Sequence, residues 1–332
     1  MVGIFRQKNP GNSLLLLVFG LVLKFGILLR PSPPLSQPED HYLYELLLRV
    51  LEPLHLPAFV YGLTAFFLIC VQASLLNRIT IDQKMLPKPN YLPGMAYMLL
   101  SSLFVEWNYF SAPLIANTLL ILMFYRMVNL YNTNRPLVGI FNIGVMVGLI
   151  TLLYEPAVIY VLMMPFTLFI MRPFRIREWV TGFLGLTTPY YFLALEPLFT
   201  NKWNWKYLVP SIRIDFPAMP TSFFITVSII LLVVPFIIGG YYVQSNLNKM
   251  LIQIRKGWSL LLLFLIMSIF IILVNGGVNY VNWIFGLLPL AAFHGAAYYY
   301  PEKKRLLPMI IHWVTFAYAI YMCYWTLAPK SS

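Results

Sequence analysis

Hydrophobicity in this chain comes in blocks close to membrane thickness. About eleven apolar stretches, most of them roughly 16 to 23 residues long, divide its 332 residues into short loops. A hydrocarbon core about 30 Å thick takes about 20 residues of helix. Blocks of this length predict an all-α, polytopic membrane protein with about 11 transmembrane helices, a single integral membrane domain over 1–332. Composition agrees: 60% of residues are hydrophobic and only 10% charged, where a soluble domain carries about 25% charge.

The loops alternate in charge. Every second loop is basic, with Arg78, Lys84, Lys88, Arg126, Arg172 and Arg255 among its residues. The loops between carry most of the acids: Glu39, Asp40, Glu45, Glu52, Glu106, Glu155, Glu196 and Asp215. Only Asp82, Glu178 and Glu302 sit with the basic set. Lys and Arg favour the cytoplasmic side, which predicts the N-terminus inside, the C-terminus outside and an acidic outer face. The net charge of +12 is spread over small loops on one face. That pattern predicts a lipid bilayer as partner and no nucleic acid.

The first apolar run, Asn12 to Leu29, follows Arg6 and Lys8 and ends in Leu-Arg-Pro-Ser-Pro-Pro without a small-residue cleavage site, so it reads as an uncleaved helix. Its Lys24 lies a turn or two below the outer end and is expected to snorkel outward. Outer loop 30–54 opens with four prolines before His41, which disfavour helix. It continues into an amphipathic segment, Leu43 to Glu52, with Leu43, Leu47, Val50 and Leu51 on one face and Glu45, Arg49 and Glu52 on the other. This predicts a short interfacial helix after helix 1, ended by Pro53.

Helix 2 is expected at about 56–76, helix 3 from about Tyr91 to Glu106, helix 4 at about 113–130, and helices 5 and 6 as a hairpin turning at Glu155-Pro156. Helix 7 (about 179–195) leads to a long outer loop, 196–220, and four more helices follow at about 221–243, 258–274, 283–300 and 306–326. Cys70 and Cys323 lie in apolar runs and fall toward opposite faces on this topology, which disfavours a disulfide.

Adjacent carboxylates at Glu39 and Asp40 are the leading candidates for chemistry. They suit a general base toward an acceptor hydroxyl, or a divalent-cation site; the alternative is a solvated pair capping the next helix. Glu106 and Glu155 end helices 3 and 5 at the same predicted face and could join them, or could serve as a belt residue and a turn residue. In Lys202-Trp-Asn-Trp-Lys206-Tyr and Arg213, cations alternate with aromatics. That mixture suits a lipid-linked phosphate with a sugar ring, or an aromatic interfacial anchor. His41, His55, His294 and His312 are spread over too much depth to share one ion, and no metal-type spacing occurs, so no metal is expected there. Gly239-Gly240, Gly276-Gly277 and the pair Gly182 and Gly185 are expected to let helices or turns approach closely.

Several segments carry a resemblance. Pro38-Glu39-Asp40-His41-Tyr42 precedes an interfacial helix; Phe141 to Tyr154, Arg172-Pro-Phe-Arg and Gly185-Leu-Thr-Thr-Pro189 form a central hairpin; Arg255-Lys256 and Trp283 to Pro289 lie late. This order resembles the C-type membrane glycosyltransferases that use polyprenyl-phosphate sugars. There one or two acids, often Asp-Glu, stand in the first outer loop, whereas here the two acids are reversed. The whole chain also looks like a family of multi-pass inner-membrane proteins of Bacteroidota. The resemblance implies a glycosyltransferase-C-like architecture in a bacterial inner membrane. It implies Asp40 or Glu39 as base and Glu106, Lys202, Lys206 and Arg213 as substrate contacts. The polyprenyl-phosphate-linked sugar would be the donor, and an envelope molecule the acceptor. The competing reading is a non-enzymatic assembly or transport subunit of an envelope complex. Paired intramembrane acids, which ion-coupled transport usually needs, are missing from the apolar runs.

Overall fold

A computed structural model describes residues 2–7, 9, 11–131, 133–199, 222–274, 280–301 and 306–325. Lys202, Lys206 and Arg213 lie outside the described residues, as do Gly276, Gly277 and Glu302. Among the described residues the elements are all helical, and an isolated bridge pairs Asp40 with Tyr154.

Among the described residues, seven helical stretches are long and apolar enough to cross a membrane. They contain α2 (Gly11–Leu29), α4 (Ala58–Asp82), α7 (Pro136–Leu153), α10 (Phe223–Asn246), α11 (Ile252–Leu273), α12 (Leu287–Tyr299) and α13 (Leu306–Trp325). Their outward faces are apolar, for example Leu14, Leu17 and Leu21 on α2 and Ile230 and Ile237 on α10. Such a surface fits a multi-pass membrane protein, since lipid requires it and water does not tolerate it.

The remaining apolar stretches are also helical but shorter or more polar. They form α5 (Leu92–Leu100), α6 (Ala112–Val128), a 3-10 segment Glu155–Leu162 running into α8 (Met163–Met171), and α9 (Ile176–Phe199). The expected third helix is the one that differs most. Instead of a span reaching Glu106, it is the nine-residue α5, every residue of which is buried. A helix apolar on all sides belongs inside a bundle. Indeed α5 packs on α4 and α12, and α12 is itself buried at all positions but Leu290.

Polar atoms in this interior are paired across helices. Tyr97 of α5 donates to Gln72 Oε1 of α4 at 2.6 Å and accepts from Asn117 Nδ2 of α6 at 2.8 Å. Glycine permits a close helix contact between α7 and α9. A Cβ added to Gly144 would lie 2.3 Å from Gly182 O, and one on Gly185 would lie 2.2 Å from Phe141 O. The expectation for Gly182 and Gly185 is met. Gly239 likewise lets α10 approach Phe293 O of α12, where a Cβ would sit at 2.0 Å.

Two of the acids that broke the charge pattern are explained by pairing. Glu178 is buried and takes two hydrogen bonds from the Arg172 guanidinium, at 3.0 and 3.3 Å. Asp82 lies 3.5 Å from Arg78 one helical turn away on an exposed surface.

The α-helix α3 (Tyr42–Leu51) stands apart from α4, as the amphipathic reading expected. A 3-10 turn, Glu52–Leu54, follows it, and His55 adopts a left-handed conformation with φ 44° before Pro57 starts α4. Tyr44 is buried, Leu43, Leu47, Leu48 and Leu51 pack on the core, and Glu45 and Arg49 pair in the open at 3.5 Å. Val50, expected on the apolar face, is exposed instead.

Candidate functional site

Proline keeps residues 31–38 out of helix, so their backbone groups must find partners elsewhere. Leu35 N–H donates to Phe110 O at 2.8 Å, and the Tyr44 hydroxyl, with one proton to give, faces Leu35 O and Phe110 O at 3.1 and 3.3 Å. At the far end of the segment, His41 N–H reaches Leu153 O at 3.1 Å, and Glu155 N–H reaches Glu39 O at 3.0 Å. The first loop is thereby laced onto the end of α7, and Glu39, Asp40, Tyr154 and Glu155 meet.

Asp40 is buried, not a solvated loop charge. It is not the cap of α3 either: His41 holds that position, without a side-chain capping bond. Asp40 Oδ2 accepts Gln37 N–H at 2.7 Å, while Oδ1 is buried with no hydrogen-bond partner among the described residues. Burial raises this carboxyl to about 7; the Gln37 bond opposes the rise, and the charges of Glu39 and Glu45 add to it. Glu39 Oε2 is also buried without a partner among the described residues. Burial lowers the His41 imidazole, against the opposing charge of Glu155.

Tyr154 closes the group. Its hydroxyl faces Gln37 Oε1 at 3.5 Å and hydrogen-bonds Asn282 Oδ1, in the 3-10 segment Tyr280–Gly286. A phenol has one proton, so it serves one of these acceptors at a time. Burial, then the charges of Glu39 and Asp40, hold Tyr154 far above the usual phenol range, so it stays protonated. Neither Tyr154 nor Asn282 is marked by composition or spacing. Tyr154 has one signal, its place beside Glu155-Pro156 at the hairpin turn.

Glu155 joins the acid pair, as the sequence allowed. Glu106 lies on the 3-10 segment Val105–Asn108, where its charge adds to the burial that raises Tyr109. The neighbouring Trp107 donates Nε1–H to Tyr280 O at 2.8 Å. The 105–108 and 280–286 segments are thus tied together beside Asn282.

Lys24 departs from expectation. It does not snorkel: it is buried, and its amine donates to Ser102 Oγ at 3.2 Å and to Asn108 Oδ1. The reason is the short α5, whose end leaves a polar turn at the depth of Lys24. Asn108 relays the contact by donating Nδ2–H to Ser101 O and Phe104 O at 3.1 and 2.9 Å. Cys70 and Cys323, expected toward opposite faces, both lie near Lys24, and neither forms a disulfide.

His294 Nε2 pairs with Leu232 O at 2.8 Å and His312 forms a ring cluster with Phe19 and Phe316, while His41 stands in the acid-bearing loop. Among the described residues no three His, Cys, Asp or Glu side chains gather in a manner able to hold a metal ion.

Fold and site together define an all-helical, multi-pass membrane-type chain with a buried carboxylate–tyrosine–amide cluster where its first loop meets α7. Compared with protein-family models, curated proteins and solved structures, the chain matches none.

Proposed function

We propose that the chain is a membrane glycosyltransferase-like enzyme that moves a sugar from a polyprenyl-phosphate donor to a periplasmic or envelope acceptor. The observation that carries this reading is the Asp40 carboxyl. One oxygen is fixed by Gln37, the other is buried and unpaired among the described residues, and burial raises the group to about 7. A base matched to neutral pH takes a hydroxyl proton efficiently. In the step proposed, Asp40 accepts the acceptor's proton, the acceptor oxygen bonds to the anomeric carbon, and the lipid phosphate leaves with the bonding pair. Glu39 raises the basicity of Asp40, and Tyr154 with Asn282 fixes the surrounding wall. Lys202, Lys206 and Arg213 are assigned to the donor phosphate on sequence alone, with Glu106 at the substrate's edge.

The finer topology belongs to the same proposal: about eleven membrane-embedded apolar segments, with α5 reaching only half the thickness, in a bacterial inner membrane, N-terminus inside, with the Asp40 loop in the periplasm. The alternation of basic and acidic loops supports it. In intact cells, an impermeant maleimide should label Arg49→Cys and spare Lys249→Cys; the reverse pattern overturns the sidedness. Both positions are exposed, and the native cysteines are buried.

One observation favours a second reading, a non-enzymatic assembly or transport subunit of an envelope complex. The contacts lacing the first loop to α7 are backbone bonds through Glu39, His41 and Glu155, which need no catalysis to explain them. Complementation of a deletion strain separates the two. Asp40→Asn at normal abundance should lose the envelope glycan product, profiled by mass spectrometry, if the chain is an enzyme. Full complementation with unchanged glycans sinks that reading and leaves the subunit.

A further inference from the structure

Parallel packing brings like charges together at one end of the α7–α9 pair. Gly144 lies against Gly182 and Gly148 against Leu186, so the two helices run the same way. Their first residues, Pro136 and Ile176, therefore fall at the same end. The loops that enter them are tied as well. Arg172 donates to Thr133 O at 2.8 Å and to the Glu178 carboxylate at 3.0 and 3.3 Å. Here a cavity of about 410 Å³ is lined by Arg135, Arg175, Arg177 and Glu178, with Leu137 and Val138 in its apolar part.

Charge in this cavity is unbalanced. Among the described residues Glu178 is its one acid, and Arg172 already engages both oxygens of that carboxylate. Arg175 reaches Glu178 only at 3.9 Å. The side chains of Arg135 and Arg177 are exposed and make no ion pair or hydrogen bond among the described residues. Three guanidiniums gathered in this way repel one another, and an anion between them replaces repulsion with charge-assisted hydrogen bonds. A larger basic cavity beside the short helix α1 (Val2–Phe5) differs, because its Arg6 already donates to Tyr299 O at 2.6 Å and lies over that ring.

The apolar part selects the kind of anion. Val138 is 70% exposed, and so is Ile176, next to Arg175. The end of a membrane-crossing helix such as α7 lies at headgroup depth, where basic pockets between helices take anionic lipids. An amphiphile answers both halves of the lining; a free inorganic anion answers one.

We infer that this cavity seats the phosphate of an anionic phospholipid. Arg135, Arg175 and Arg177 meet the headgroup, and Leu137 and Val138 meet the start of an acyl chain. The inference goes beyond the proposed transfer reaction and does not depend on it.

The test follows thermal unfolding of the full chain purified in a neutral detergent. Dioleoylphosphatidylglycerol should stabilise it, whereas dioleoylphosphatidylcholine should not, nor should sodium phosphate against sodium chloride at equal ionic strength. Arg135→Gln and Arg177→Gln should each weaken the apparent affinity for the glycerol lipid about fivefold, and the double variant about thirtyfold. The double variant Lys249→Gln/Arg255→Gln removes two exposed cations outside the cavity lining and should bind as the wild type does. All these variants should melt as the wild type does without lipid, since the side chains they alter have no partner among the described residues to lose. The proposal is overturned if the glycerol lipid stabilises no more than phosphatidylcholine. Stabilisation by inorganic phosphate overturns it too, as the mark of a free-anion site. So does an equal loss of affinity in the two double variants, which would mean a diffuse basic face.

Discussion

The hydroxyl of Tyr154, at the end of α7, hydrogen-bonds Asn282 Oδ1, 128 positions further along the chain. Both side chains are buried, so neither can turn to water if the other is lost. Tyr154→Phe keeps the ring against Phe285 but leaves Asn282 Oδ1 unpaired. The variant should unfold at lower denaturant, by about 1–3 kcal/mol, the usual cost of an orphaned buried acceptor.

Asp40 makes stability depend on pH in a definite direction. Its folded value of about 7 lies above an unfolded value of about 3.9. The folded chain therefore holds this proton more tightly than the unfolded chain does. The associated stability is complete below about pH 4 and is lost as pH rises through about 7. Asp40→Asn cannot titrate yet retains an acceptor for Gln37 N–H. Between pH 4 and 8 the wild type should lose stability relative to this variant, on the order of 2–4 kcal/mol. Parallel unfolding curves at the two pH values measure it; equal differences at both would refute the assignment.

The glycine contacts give a paired comparison. Gly144→Ala would drive a methyl to 2.3 Å from Gly182 O and must push α7 from α9, whereas nothing lies within 4 Å of a Cβ at Gly240. The first should cost about 1–3 kcal/mol through overpacking. Gly240→Ala should be neutral, or stabilise by up to about 1 kcal/mol through helix propensity. Melting temperatures of the two variants in one detergent decide the matter.

Salt bridges should separate in the same way. Glu178→Gln leaves Arg172 uncompensated at a nearly buried site and should cost about 3–5 kcal/mol. Asp82→Asn breaks an exposed pair and should cost no more than about 0.5 kcal/mol. A double-mutant cycle with Arg172 isolates the first coupling.

Much of the helical plan could be read from the chain because apolar block length is a one-dimensional property. Pro53 and Pro57 flank the turn that divides α3 from α4, and Tyr42–Leu51 carries its own two-faced pattern. What could not be read depends on which neighbour each face meets. The run from Leu92 is as apolar as a span, but protein interior and lipid select the same residues, so its nine-residue length was hidden. The burial of Lys24 is hidden for a related reason: its acceptors belong to a turn about 80 residues away. In the candidate site, paired acids announce themselves locally. Their burial does not, because it is created by Tyr154 and Asn282 through long-range contacts.

The interior position of α5 has a consequence for how such a chain is made. Nine residues of helix rise about 14 Å, half the thickness of a hydrocarbon core. A segment that short gains too little from lipid to stay there alone. Its close partner is Gly295 of α12, a Cβ on which would stand 2.8 Å from Pro93, and roughly 200 residues must be synthesised between the two. Until α12 emerges, α4 and α2 are the neighbours available to shelter α5. The centre of the molecule is therefore closed late in biogenesis, and a chain that stops before α12 carries a helix covered on only part of its surface.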